Sequence, residues 1–274
     1  MLSFFIIITG YNVKRIQYLR VVTSGVTCQR VADILLVLDQ STSIIVGDPN
    51  RDNWYVRVLG FAKSVAGAFH IARDRTQVAV IKFSDVLNVV FYLNTYSNRE
   101  TLLNAIGNID IDGGETNIAA ALRTGRSMFR TSNGARNGVP KILIMLTDGT
   151  ANVEEDETEK ETNKTKADGI VIFTVGVGND VDNDELRKIA SKPEYFFFAR
   201  DFFHLNSVLQ KLLEDSCEEA LLPMTTTTTT TTTAIRTLTS STTTTTLTTT
   251  TESCKSLLSY FLVALYRLSI GKFC

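Results

Sequence analysis

Three oxygen-bearing side chains stand at alternate positions directly after an apolar run. The run Ile34–Leu38 is typical of a buried strand, and Asp39, Ser41 and Ser43 follow it. Carboxylate and hydroxyl oxygens are the donors that hard divalent cations such as Mg²⁺ prefer. Asp39 alone could instead cap a following turn. The loop is therefore a candidate metal site that needs further oxygen donors from elsewhere in the chain.

Two other segments carry similar chemistry. Asp148 closely follows the apolar run Lys141–Leu146, and Thr116 follows two glycines at the predicted start of a helix. Asp148 and the glycine after it could also form an ordinary turn. Ligands of an open, mostly parallel sheet bind outside the carboxyl ends of its strands. If the two strands are neighbours, their polar ends meet at one edge. The predicted site consists of Asp39, Ser41, Ser43, Thr116 and Asp148.

The chain between Cys28 and Cys217 alternates short apolar runs with amphipathic segments. This pattern is typical of the α/β class, in which helices cover both faces of a parallel sheet. The predicted strands are Ile34–Leu38, Val78–Phe83, Val89–Leu93, Ile142–Leu146, Val171–Val177 and Tyr195–Ala199. The predicted helices are Trp54–Phe69, Arg99–Ile106, Asn117–Phe129, Glu159–Ala167, Asp184–Ala190 and Leu205–Leu213.

The length, net charge and cysteine content of the chain make some classes of function less consistent with it than others. The 274 residues, 44% of them hydrophobic, are enough for one large α/β domain with tails. A net charge of -1 and the lack of a long basic block argue against a nucleic-acid surface. The four cysteines and two histidines do not form the close sets expected of zinc ligands. Partners are therefore expected to be proteins or glycans.

Both ends of the chain differ in composition from the middle. Residues 1–27 contain the apolar run Leu2–Thr9, which is similar to a signal-peptide core but has no preceding basic residue. A truncated or misassigned start is the alternative. Residues 218–252 are rich in threonine and predict an O-glycosylated stalk, or an unmodified linker. The apolar tail 253–274 is short for a membrane span and fits an amphipathic helix or a removed lipid-anchor signal, so membrane attachment stays open.

The three polar segments, in this order, resemble the metal-ion-dependent adhesion site (MIDAS) of extracellular von Willebrand factor type A (vWA) domains. The resemblance covers roughly residues 31–216. It implies a doubly wound, mostly parallel sheet with helices on both faces and one short antiparallel edge strand. It also implies that Ser41 and Ser43 bind the metal directly, and that Thr116 does so in the ligand-engaged state. The two aspartates would act mainly through water. The expected cation is Mg²⁺, with Mn²⁺ or Ca²⁺ as alternatives.

Two residues need weighing against the family pattern. Thr42 stands where the family usually has glycine, and its β-branched side chain would stiffen the loop. Glu115 adds a carboxylate beside Thr116. If Glu115 reached the cation, it would weaken capture of an outside carboxylate. We expect Glu115 to face solvent and the Thr42 side chain to be tolerated.

The cysteines and one sequon bear on the cellular compartment. The resemblance implies that the domain ends lie close together and that Cys28 and Cys217 form the terminal disulfide of many extracellular members. Two free thiols in a cytosolic protein are the alternative. Cys254 and Cys274 could pair with each other or with another chain. Asn163 begins an N-glycosylation triplet, although such triplets also arise by chance.

These features predict an extracellular, secreted or surface-attached binding module and not an enzyme. Its Mg²⁺ would capture an Asp or Glu side chain of a matrix or cell-surface protein. One alternative is a mucin-like structural coat component with a degenerate metal site. Another is a Mg²⁺-dependent phosphotransfer enzyme, but such enzymes carry a second acid where this loop has Ser41. The chain contains neither a Walker-type phosphate loop nor a Gly-x-Ser-x-Gly nucleophile elbow.

Overall fold

A computed structural model describes residues 28–220 of the chain. The predicted signal peptide, the apolar tail, Cys254 and Cys274 lie outside the described residues, as does the threonine-rich segment apart from its first three residues. Within the described part, no helix is both long enough and apolar enough to cross a membrane.

A six-stranded sheet runs through the middle of the domain in the order β3-β2-β1-β4-β5-β6. All neighbouring pairs are parallel except β2 and β3, which are antiparallel at one edge. This arrangement confirms the predicted mostly parallel sheet with a short antiparallel edge strand. The strands are β1 Asp33–Asp39, β2 Gln77–Phe83, β3 Leu87–Phe91, β4 Lys141–Thr147, β5 Ile170–Val177 and β6 Phe196–Ala199.

Helices cover both faces of the sheet because adjacent residues of each central strand point to opposite sides. In β1, Ile34 and Leu36 join the core under α1, α2 and α6, whereas Leu35 and Val37 join the core under α3 and α5. Every residue of β1 is buried as a result. The helices are α1 Leu59–Gly67, α2 Arg99–Gly107, α3 Ile118–Met128, α4 Glu155–Ala167, α5 Asn183–Ile189 and α6 Leu205–Glu219.

Three helices, α1, α4 and α6, differ from the sequence prediction by more than one residue at an end. The residues before α1, Asn53–Val58, form a π-helical turn. Helix α4 begins at Glu155, four residues before the predicted Glu159. Its first turn is acidic, which the helix dipole favours, but it has no apolar spacing by which the sequence could predict it. Helix α6 continues beyond Leu213 to Glu219. Asn163, the sequon residue, is exposed on α4.

The two ends of the described domain are joined covalently. Cys28 and Cys217 form a disulfide with an S–S distance of 2.02 Å across 189 residues of sequence. Cys28 lies five residues before β1, beside Phe69, and Cys217 is in the last turns of α6. The disulfide therefore lies at the end of the sheet where β1 begins.

Candidate metal centre

The carboxyl ends of β1 and β4 bring Asp39 and Asp148 to the same edge of the sheet. The two strands are adjacent and parallel, with Leu38 opposite Leu146. Asp39 is the last residue of β1, and Asp148 comes directly after β4. The two strands are therefore neighbours in the sheet, as the predicted site requires.

Hydroxyl groups of the first loop contact the Asp148 carboxylate. Ser43 Oγ donates a hydrogen bond to Asp148 Oδ1 at 2.8 Å. Ser41 Oγ lies 2.9 Å from Ser43 Oγ and 3.5 Å from the same Asp148 oxygen. Oxygen atoms from two loops, 105 or more residues apart in sequence, thus form one cluster.

Asp39 lies beneath this cluster and is fully buried. Its Oδ1 accepts a hydrogen bond from the Ser41 backbone N–H at 2.8 Å, and its Oδ2 accepts one from Thr147 Oγ1 at 2.5 Å. Both carboxylate oxygens are therefore occupied by protein donors. The Asp39 side chain holds the serine loop to the end of β4, which is a role that the sequence pattern did not assign to Thr147.

Thr116 approaches the cluster from a third loop. The residue is buried, and a Cβ atom at Gly149 would lie 3.4 Å from Thr116 Oγ1. Helix α3 begins two residues later, with Asn117 capping it by accepting a hydrogen bond from the Ala120 N–H at 2.8 Å. The hydroxyl of Thr116 is therefore placed beside the loop that carries Asp148.

The structure also places Thr42 and Glu115, the two residues that bear on whether the site can bind a partner. Glu115 is exposed to solvent. Thr42 Oγ1 accepts a hydrogen bond from the Gly114 N–H at 2.9 Å and so faces the glycine-rich loop. Asn152 accepts a hydrogen bond from the Thr116 N–H at 2.8 Å, and nothing in the sequence pattern marks it as part of the site.

The electrostatics of the cluster favour a bound cation. Burial, together with the nearby charge of Asp39, raises the pKa of Asp148 to about 7. Burial also raises the pKa of Asp39. Neither carboxylate forms a salt bridge with a side chain of residues 28–220. A divalent ion would offset the two buried negative charges, and the donors, which are carboxylates and hydroxyls, fit a hard cation.

Three comparisons with known proteins agree on the fold. The sequence profile of the von Willebrand factor type A domain matches residues 33–211. Collagen alpha-1(XII) chain of Notophthalmus viridescens is 34% identical over 73% of this chain and 21% of its own length. Matrilin-1 of Gallus gallus is 30% identical over 68% of this chain and 36% of its own length. The chain thus spans well under half of either relative.

One similar protein of known structure has been solved with a metal ion in its MIDAS motif. Proximal thread matrix protein 1 from the mussel byssus, solved with zinc in its MIDAS motif, superposes with a TM-score of 0.66 and 27% identity. The match covers 70% of this chain and 49% of the mussel chain. The profile match extends over more than half of the present sequence and includes all five predicted site residues. The chain therefore belongs to the von Willebrand factor type A domain family.

Proposed function

We propose that the domain is an extracellular matrix or adhesion module that binds partner proteins through a divalent cation. Mg²⁺ is the proposed ion, and Mn²⁺ or Ca²⁺ are substitutes. The observation that carries the proposal is the convergence of Asp148 with Ser41 and Ser43, whose Oγ atoms lie 3.5 and 2.8 Å from one of its oxygens. Thr116 borders the same loop.

The residues of the cluster have different roles in binding the ion. Ser41, Ser43 and Thr116 offer neutral hydroxyl oxygens, whereas Asp148 offers a charge that forms no salt bridge with a side chain of the described residues 28–220. Asp39 orients the serine loop, since both of its oxygens already accept hydrogen bonds from Ser41 and Thr147. When bound, a cation with few charged ligands supplies a position for a carboxylate from outside. The proposed partner is therefore a matrix or cell-surface protein that presents Asp or Glu.

The extracellular assignment has independent support. The relatives are collagen and matrilin chains, and the mussel protein is named as a matrix protein. The Cys28–Cys217 disulfide suits an oxidising compartment. We further propose that Asn163 is glycosylated and that residues 218–252 form an O-glycosylated stalk. An exposed Asn163 leaves room for a glycan.

We propose that the domain is a binding module and not an enzyme. The related collagen and matrilin chains are matrix proteins by name. A phosphotransfer enzyme of the type that uses an Asp nucleophile after its first strand needs that carboxylate to be accessible. Asp39 is fully buried, and hydrogen bonds from Ser41 and Thr147 occupy both of its oxygens. This geometry disfavours a nucleophilic role for Asp39.

Calorimetric titration of the full chain with Mn²⁺ or Mg²⁺ tests the metal site. We expect saturable binding that weakens at least about tenfold in the Ser41→Ala/Ser43→Ala double variant, because removing groups around a bound metal typically costs that much affinity. Ser64→Ala/Ser207→Ala is the matched control, since those exposed serines bond only to backbone carbonyls of their own helices or turns. Unchanged metal binding in the first variant would contradict the proposed site.

Partner capture needs a separate assay. Adhesion of the full chain to immobilised matrix proteins should require Mg²⁺ or Mn²⁺ and should stop when a chelator is added. The Ser41→Ala/Ser43→Ala variant should need at least about tenfold more cation than the control variant for the same adhesion, as its weaker metal binding implies. Adhesion that persists equally in the presence of chelator would instead favour a structural coat function with a degenerate site.

A further inference from the structure

The loop that carries Thr116 is held by side chains from three other loops. The backbone N–H groups of residues 114, 115 and 116 donate in turn to Thr42 Oγ1 at 2.9 Å, Asp85 Oδ1 at 3.2 Å and Asn152 Oδ1 at 2.8 Å. Thr42 follows β1, Asp85 follows β2 and Asn152 follows β4. Three successive amides are therefore bonded to three separate strand ends. We call these three side chains the amide clamp.

Two members of the amide clamp bond to the loop in both directions. The Thr42 N–H donates to the Gly114 carbonyl at 2.9 Å, while its hydroxyl accepts from the Gly114 N–H at the same distance. The Asn152 N–H donates to the Thr116 carbonyl at 3.0 Å, while its side chain accepts from the Thr116 N–H. Each reciprocal pair engages both backbone polar groups of one residue, Gly114 or Thr116, and so restrains the two peptide groups on either side of it.

The third member of the amide clamp, Asp85, restricts the space around the loop at the end of β2. Gly114 has a φ of +121°, and a Cβ atom there would lie 2.1 Å from Asp85 Oδ1 and 2.7 Å from Ser84 Oγ. Gly113 also has a positive φ, of +87°. Glycines at such angles have wide conformational freedom when nothing holds them. The amide clamp therefore restrains the glycine segment of the loop, whose backbone would otherwise have the widest choice of conformations.

We propose that the amide clamp preforms the metal site by holding the Thr116 hydroxyl in place before a cation arrives. Thr42, Asp85 and Asn152 are positioning residues in this view, because they bond to the backbone of residues 114–116 and not to the metal. The inference rests on the proposed function. A loop that visited other conformations would have its apparent affinity multiplied by the fraction of time that it spends in the binding geometry.

A simpler alternative is that the three side chains only satisfy the hydrogen-bonding needs of the loop amides. That alternative predicts lost stability without a change in metal affinity, whereas the clamp predicts a change in affinity that exceeds any change in global stability. Two readouts on the full chain separate the alternatives. Hydrogen exchange of individual amides, measured without metal, reports opening of the loop, and calorimetric titration with Mn²⁺ reports affinity.

The principal variant is Thr42→Val, which keeps the side-chain shape but removes the hydroxyl. Exchange of the Gly114 amide should rise about threefold to tenfold, the range that one hydrogen bond of ordinary strength implies. Mn²⁺ should bind measurably more weakly, by at most the same factor, because affinity follows the fraction of molecules in the binding geometry. Thr42→Ser restores an acceptor and should behave like the native chain. Thr131→Val, at an exposed threonine beyond the far end of α3, is the matched control and should change neither readout.

Asp85 and Asn152 offer an independent check. Asp85→Ala should speed exchange at the Glu115 amide, and Asp85→Asn, which keeps an acceptor oxygen, should not. Asn152→Ala combined with Thr42→Val should weaken Mn²⁺ binding by a factor that differs from the product of the single effects, since both residues hold the same loop.

The outcomes are distinct. Native exchange and native Mn²⁺ affinity in Thr42→Val would overturn the clamp, and so would faster exchange spread equally over β1 and β4 with unchanged affinity. If the native chain bound no Mn²⁺, the proposed function would fail. The exchange data would then still decide whether Thr42 restrains the loop: native exchange at Gly114 would overturn the restraint, and faster exchange there would support it.

Discussion

Asp39 and Asp148 are both buried aspartates at one sheet edge, but their surroundings give them different properties. Asp39 has hydrogen-bond donors on both oxygens, from Ser41 and Thr147. Asp148 accepts from Ser43 and lies close enough to Asp39 for the two charges to repel. The protein therefore holds the charge of Asp148 in a position that is unfavourable until a cation offsets it.

This placement predicts that Asp148→Asn stabilises the metal-free domain. The pKa of Asp148 is raised from 3.8 to about 7, so between those values the folded state keeps a proton that the unfolded state has released. The native chain should thus lose stability as pH rises through this window. At about pH 8 the variant should gain on the order of 2 kcal/mol, and below about pH 4 it should gain nothing.

Denaturant unfolding at several pH values, in the presence of chelator, measures this effect. Asp52→Asn removes an exposed carboxylate outside the cluster and serves as the control that should show no such trend. A variant that is equally stable or less stable than the native chain at pH 8 would show that burial and the nearby Asp39 do not make the charge of Asp148 unfavourable.

At the scale of elements, the position of α3 decides where Thr116 lies. The helix begins two residues after Thr116 and packs against β1 and β4 at Gly125. A Cβ atom at that glycine would lie 3.0 Å from Leu143 Cδ1 and 3.2 Å from Leu35 Cδ2. Close approach of the helix to the sheet therefore depends on the absence of a side chain at residue 125.

We expect Gly125→Val to destabilise the domain by about 2 kcal/mol, because overpacking a filled core displaces the helix or its neighbours. Gly60→Ala is the comparison. Gly60 is also helical, and a Cβ atom there would have no neighbour within 4 Å, so the change should stabilise by roughly 0.5–1 kcal/mol through helix propensity alone. Thermal unfolding of both variants measures the contrast. Equal effects of the same sign would mean that α3 is not packed as closely as described.

At the scale of the whole molecule, the disulfide and the metal centre are separated along β1. Cys28 precedes the start of this strand, and Asp39 is its last residue. A cross-link over 189 residues mainly restricts the unfolded chain. Its contribution should therefore be to global stability and not to the geometry of the cation site.

The Cys28→Ser/Cys217→Ser variant should lose up to about 5 kcal/mol of unfolding free energy by the loop-entropy estimate. Under conditions in which it remains folded, it should bind Mn²⁺ within about twofold of the native affinity, since no site residue touches the disulfide. Denaturant unfolding and calorimetric titration give the two values. A large loss of metal affinity in the folded variant would show that the two ends of the sheet are coupled.

Much of the fold was predictable because local patterns report it directly. Apolar runs such as Val78–Phe83 mark strands that are covered on both faces, and five of the six described strands lie within one residue of the prediction at each end. The exception is β3, which spans Leu87–Phe91 and not the predicted Val89–Leu93, because an edge strand is only partly buried and its apolar pattern is weaker. Helix ends were less predictable. The first turn of α4 is acidic and has no apolar period, so its start at Glu155 depends on the helix dipole and on contacts outside the segment.

Strand periodicity and loop composition are local properties of the chain, so they predict from the sequence which oxygen-bearing residues stand after which strands. The distances between these residues, the raised pKa of Asp148 and the hydrogen bonds of the amide clamp depend on the tertiary fold. These properties depend on groups that lie 30 to 72 residues apart in the clamp and up to 108 residues apart in the cluster. Contacts over such separations are set by how strands are ordered in the sheet, which no local pattern specifies.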